Sequence, residues 1–124
     1  MRGTATIMTT ATMTTAVSDP PSATVVLDGE IDIATAPAIR RLLMAAISGG
    51  NVHLAVDMSG VTFIDAAGID VLVAAASRAR EAGGGLSLVA PSQQVRWLLG
   101  VLHLDATLPT ALRSGGPFAA GSAA

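Results

Sequence analysis

Cysteine, lysine and tyrosine are all missing from this chain of 124 residues, and aromatic residues make up only 2% of it. Without cysteine there is no disulfide, no thiolate metal site and no cysteine nucleophile. The seven cations are all arginines, at positions 2, 40, 41, 78, 80, 96 and 113, and the formal net charge is −2. Scattered cations and so few stacking aromatics argue against direct DNA or RNA binding. No stretch approaches the ~18 consecutive apolar residues that would span a bilayer, so membrane insertion is not expected. Residues 3–18 are uncharged and follow Arg2, as in a signal peptide, but threonine dominates them and no leucine-rich centre follows. The chain is therefore read as cytoplasmic.

What is present is aliphatic. Hydrophobic residues reach 51%, enough for one core built from Val, Leu, Ile, Met and Ala. The length fits a single domain with sequence to spare. Residues 1–22 read as a flexible Thr-rich leader, in which 13–18 could form an edge strand and Asp19-Pro20-Pro21-Ser22 a turn. Met8 and Met13 are alternative starts to Met1. Residues 23–113 carry the domain, and the small, turn-prone 114–124 read as a flexible tail.

Inside the domain, Thr24–Ile33 is strand-like, interrupted by Asp28-Gly29-Glu30. Thr35 is placed to cap a helix with Pro37 in its first turn. Its apolar stripe is Ile39, Leu42, Leu43, Ala46 and Ile47, and Gly49-Gly50 stops it. Val52, Leu54, Val56 and Met58 alternate as a strand, with Ala55 between them suggesting cover on both faces. A tight polar turn should follow, then a helix capped by Asp65 and buried along Ile69, Leu72, Val73, Ala76 and Ala79. Arg78, Arg80 and Glu81 belong to solvent, and Gly83-Gly84-Gly85 ends the helix. Leu86–Ala90 is a short buried strand, and Ser92 caps a third helix with Val95, Leu98, Leu99 and Leu102 inward; Trp97 beside them reads most simply as partly buried, with a partner-facing anchor as the alternative. A last strand is expected near Ala106–Leu108. Strands alternating with helices give an α/β domain.

Catalytic chemistry finds little support. His53 and His103 lack partners at metal-ligand spacing, so no metal site is expected. Ser59 is not in a nucleophile elbow, and the three-glycine run precedes a strand, the wrong order for a phosphate loop. Asp65 and Asp70 fit a helix start, where carboxylates are favourable. No nucleophile or cofactor loop accompanies Glu30, Asp32 and Asp57. The chain reads as a non-enzyme with no cofactor.

Two blocks carry a family resemblance: Gly29-Glu30-Ile31-Asp32-Ile33-Ala34-Thr35-Ala36-Pro37 and Asp57 through Ile69. Together with Gly84–Pro91 and Leu102–Asp105 they resemble the STAS domains, which include the bacterial anti-sigma factor antagonists. That resemblance implies a mixed sheet of four to five strands with helices packed largely on one face. It also implies a partner-binding surface from Glu30, Asp32, Thr35, Asp65, Ala66, Ala67, Gly68 and Ile69. In the regulated relatives a Ser or Thr just before the glycine is phosphorylated, which blocks docking on an anti-sigma factor, a GHKL-type kinase. Here that position is Ala67, preceded by Ala66, so the familiar switch is missing. Ser59 and Thr62 are alternative phosphosites, more simply read as strand residues. Three functions follow: an anti-sigma factor antagonist without the switch, a structural STAS subunit of a larger complex such as a lipid-transport ABC assembly, and a nucleotide-binding module. Little sequence after Leu108 matches the final helix of many relatives, which leaves sheet surface for a partner or a homodimer.

Overall fold

The computed structural model describes residues 10–16 and 22–111. Five strands and three helices alternate in it: β1 (Thr10–Ala16), β2 (Ser22–Ile31), α1 (Ala36–Ser48), β3 (His53–Ile64), α2 (Ala66–Glu81), β4 (Gly85–Val89), α3 (Gln93–Val101) and β5 (Thr110–Ala111). The sheet runs β1-β2-β3-β4-β5, with β1 antiparallel to β2 and every later pairing parallel. Crossovers between parallel strands are right-handed. When each step moves the same way across a sheet, that handedness brings successive helices to one side. Here α1 and α2 pack on each other, with α2 against β3 and β4 and α1 against β2. This is the mixed sheet with helices on one face that the STAS resemblance implied.

The core lies between that helical layer and the sheet. Val25 and Leu27 of β2, Leu54 and Val56 of β3 and Leu88 of β4 meet Ile39 and Leu43 of α1 and Leu72 of α2, all buried. Ala75, Ala76 and Ala79 on α2 are fully buried, and their short side chains let helix and sheet approach closely without an aromatic. Val73 is half-buried, and Val71 and Ala75 take the place the periodicity gave it. Leu42 is also only half-buried. Ala55 is buried, as its size suggested.

Several local features differ from expectation. The first edge strand begins three residues earlier than Met13 and ends at Ala16; residues 17–21, with the Pro-Pro turn, lie outside the described residues, as does the tail. β2 passes through Asp28-Gly29-Glu30 instead of breaking there, because register shifts against β3 absorb the polar run. For the same reason β3 continues past Met58 to Ile64, where the sequence suggested a turn. The last strand is Thr110–Ala111 and not Ala106–Leu108, since Leu108 is drawn back into the core and its N–H bonds to Leu104 C=O at 2.8 Å. Pairing resumes only where Pro109 C=O accepts from Leu88 N–H, also at 2.8 Å. Trp97 is 67% exposed instead of partly buried, because α3 turns only Val95 and Leu99 fully inward. Leu102 lies beyond the last helical residue and is exposed too.

Helix α3 ends at an unusual residue. His103 has φ 58° just past the C-cap Leu102, and Leu104 N–H closes back to Leu99 C=O at 2.8 Å. Glycine is the ordinary occupant of this left-handed position, since a Cβ costs about 1–2 kcal/mol there. His103→Gly is expected to raise unfolding stability by about 1 kcal/mol, net of the glycine's greater chain entropy. Urea denaturation checks it; an unchanged or lower midpoint at equal slope contradicts it.

Candidate docking site

The two segments singled out in the sequence meet at the C-terminal ends of β2 and β3. Ile31 and Ile64 are register partners, and Asp65 N–H donates to Ile31 C=O at 3.1 Å. That bond carries the ladder one step beyond the strands and holds both turns side by side.

The first turn is braced by its own polar groups. Asp32 Oδ1 accepts from the N–H groups of Ala34 and Thr35 at 3.0 and 3.1 Å. Thr35 Oγ1 accepts from Asp32 N–H at 2.9 Å and donates to Glu30 C=O at 3.1 Å. Thr35 occupies the N-cap of α1 but has helical backbone angles and makes no side-chain cap. Its hydroxyl is committed to the preceding turn, so the expected capping role is replaced by loop bracing. The turn also displays Ile33, which is 78% exposed, beside exposed Ala34.

The second turn follows the sequence reading closely. Asp65 has extended backbone angles and its Oδ1 accepts from Gly68 N–H at 3.2 Å, an N-cap of the usual kind. Ala66 is exposed and Ala67 is half-buried against the core. Gly68 and Ile69 are buried, so they position the turn and present no side chain to a partner. An ideal Cβ on Gly68 would stand 2.7 Å from both Ile31 Cγ2 and Ile64 Cγ1. The glycine is what allows the helix start to sit on the two strand ends.

Charge around the site is of one sign. Glu30 is exposed and Asp32 and Asp65 are half-buried there, and Asp70 is exposed on the first turns of α2, whereas the nearest arginines along these segments, Arg40 and Arg41, lie further along α1. Ser59 and Thr62 are exposed residues within β3, and the Ser59 hydroxyl donates to Asp57 at 2.7 Å. Among the described residues, no group of three or more His, Asp or Glu side chains is arranged to hold a metal ion.

A family model described as "Mlab, STAS domain" matches residues 15–112. The chain belongs to the STAS domain family. Among solved structures, this STAS domain is similar to an anti-sigma factor antagonist from Mycobacterium paratuberculosis, at 26% identity and a TM-score of 0.71 over 91% of this chain and 93% of that one. It is similar to an anti-sigma factor antagonist (STAS) domain protein from Planctomyces limnophilus, at 18% identity and a TM-score of 0.73 over 90% and 98% of the two chains. The unphosphorylated form of the anti-sigma factor antagonist SpoIIAA aligns at 17% identity and a TM-score of 0.66, covering 90% of this chain and 97% of its own.

Sequence reasoning singled out the two segments of the STAS domain that lie side by side but missed the exposed apolar residues in and beside them. Ile33 looked like the end of a strand, and Phe63, 51% exposed, like part of a tight polar turn. Only the strand bulges reveal their exposure: Glu30 pairs with Phe63 after two register shifts. Helix α2 is, among the described residues, too short or too polar to cross a membrane, as are the other helices.

Proposed function

We propose that this STAS domain is a protein-binding regulator of the anti-sigma factor antagonist kind, docking on an anti-sigma factor through the paired turns Glu30–Thr35 and Asp65–Ala67. The observation that carries the reading is the Asp65–Ile31 backbone bond, which makes one continuous surface of two segments. Exposed Ile33, Ala34 and Ala66 give that surface an apolar centre, with Asp32 and Asp65 at its edge. Such an apolar centre with a polar rim is the usual anatomy of a protein interface. The solved structures named as anti-sigma factor antagonists support the reading through their shared fold.

Ala67 takes the place of the phosphorylated hydroxyl of regulated relatives. A phosphate adds about −1.5 to −2 charge, and without an acceptor oxygen the turn keeps its neutral form. The protein then acts without catalysis of its own, and its control rests on its amount or on another ligand. Binding to the cognate anti-sigma factor should be the same with and without ATP and active kinase. Loss of binding on adding ATP, or no binding at all in a calorimetric titration, overturns the reading.

Mutation of the turn provides a sharper measurement. Ala67 packs against the core, so a carboxylate there would also disturb the fold. Ala66 is the cleaner position, being exposed in the first turn of α2. There a carboxylate suits the helix dipole, worth about 0.3–1 kcal/mol in favour of folding. Ala66→Asp is expected to weaken docking by about tenfold or more, through like charge and lost apolar contact, while the unfolding midpoint stays or rises. Unchanged affinity would show that the turn is not at the interface.

A second reading is favoured by the same missing hydroxyl. A structural STAS subunit of a larger assembly, such as a lipid-transport ABC complex, needs the docking turns without a phosphate switch. Co-purification with transporter subunits and not with an anti-sigma factor would select it.

A further inference from the structure

β3 outruns its neighbour. Its pairing with β4 ends at Asp57 opposite Val89, yet the strand continues through Met58–Ile64 beside β2 alone. β4 stops there because Ala90, at φ 54°, turns the chain through Pro91 into α3. Among the described residues, nothing pairs with Ser59–Ile64 on the side away from β2.

A groove of about 110 Å3 runs along this edge, between Val61–Ile64 and the Val95, Trp97 and Leu98 face of α3. Successive side chains of a strand point to opposite faces. Val61–Ile64 all line the groove although Val61 and Ile64 are buried and Thr62 and Phe63 exposed, because it follows the bulged edge of the strand, where the N–H and C=O groups not paired with β2 lie. A helix forms the other wall. Stranded backbone groups on one side and apolar side chains on the other match the way sheets accept an added peptide strand.

We propose that this slot takes an extended, uncharged segment of a partner protein as a strand added to β3 at Ser59–Ile64. The backbone of the segment supplies hydrogen bonds to the open edge. One aliphatic side chain fills the groove, whose volume is somewhat below the ~150 Å3 apolar cavity that holds a benzene ring. Charge selects the occupant further. None of the residues lining the groove is charged, so a carboxylate or cation inserted there would lose its hydration without a counter-charge. Trp97 and Phe63, 67% and 51% exposed, rim the groove, and aromatic residues of this kind are common anchors in protein interfaces. The slot adjoins the paired turns at Ile64 but opens on the side of β3 away from β2, and the proposal does not depend on what docks on the turns.

The test is a titration of the full 15N-labelled chain with the blocked peptide acetyl-Thr-Val-Thr-Leu-Thr-Val-amide. A second titration uses the same peptide N-methylated at alternate residues. Shifts are expected at the amides of Ser59–Ile64 and at the Trp97 indole, with about tenfold weaker binding of the N-methylated peptide because its donors are gone. Trp97→Ala, at an exposed position that leaves the core alone, should weaken the parent peptide by about tenfold as well. Ala66→Asp should leave peptide binding unchanged, so that this result is independent of the docking reading. No shifts at millimolar peptide, shifts confined to the Ile33 and Ala66 side, or equal binding of both peptides would overturn the proposal. Amide exchange of the chain alone tests the other occupants. Protection of Ser59–Ile64 at every concentration would assign the slot to the chain itself, and protection that grows with concentration to a second copy; either overturns a partner's strand.

Discussion

Gly84→Ala is expected to destabilise the molecule by about 3–4 kcal/mol through overpacking and a lost hydrogen bond. A Cβ at Gly84 would fall on the carbonyl oxygen of Val52, which is main chain and cannot swing aside. That oxygen also accepts from Gly85 N–H at 2.9 Å, and Gly84 N–H closes α2 by donating to Ala79 C=O at 2.8 Å. Relief of the clash therefore has to part the start of β4 from the start of β3 or unwind the helix end. Against a typical domain stability of about 5–15 kcal/mol, the loss is a large fraction. The neighbouring glycines serve as controls. Gly83 has φ 95° but open space around it, so alanine there should cost only the left-handed strain of about 1–2 kcal/mol. Gly85 has neither constraint, and Gly85→Ala should fall within about 0.5 kcal/mol of the parent. Chemical denaturation of the three variants should give that order; a Gly84 variant no worse than the Gly83 one would contradict the close approach.

The second large effect is expected at Gly68. Its missing Cβ leaves room for Ile31 Cγ2 and Ile64 Cγ1, each 2.7 Å from where the carbon would be, and for Ile31 O at 3.1 Å. Gly68→Ala should cost about 2–3 kcal/mol, the ordinary range for forcing a methyl into a packed core. Unlike Gly84, the obstacles here are mostly branched side chains, so the start of α2 can lift by a few tenths of an ångström. That motion strains the Asp65–Ile31 bond joining the two turns. Docking should therefore weaken at temperatures where the variant is still folded. Adding Ile64→Ala removes one obstructing carbon and should make the double variant more stable than the sum of the two single losses predicts, a non-additivity expected between groups in contact. Strict additivity in denaturation would show that Gly68 and Ile64 do not compete for space.

How much of this was legible in the sequence depended on the range of the interaction involved. Asp65 was readable because an N-cap is a local event: its carboxylate meets the amide of Gly68, three residues on. The same rule misread Thr35, whose hydroxyl had a stronger claim on Asp32 N–H and Glu30 C=O behind it. Strand lengths were less legible, because alternation fails across a bulge. Two register shifts between β2 and β3 turn Phe63 outward and Val61 inward, and nothing local to either residue announces them. Trp97 and Leu102 were misplaced for a related reason. Helical periodicity gives one face but not its width, and only Val95 and Leu99 of α3 reach the core fully. The candidate site was legible as two motifs, whereas the bond that unites them at Ile31 is a property of strand pairing.

The sheet also has a consequence for how the chain is made. Its spatial order is the order of synthesis, β1 to β5, so no strand must be threaded between two that have already paired. As the polypeptide leaves a ribosome, each new strand can dock on a finished edge, and the helix before it can cover the layer just laid down. Among the described residues, the last addition is a ladder of two residues. The four earlier strands can therefore be held together before that ladder is laid down.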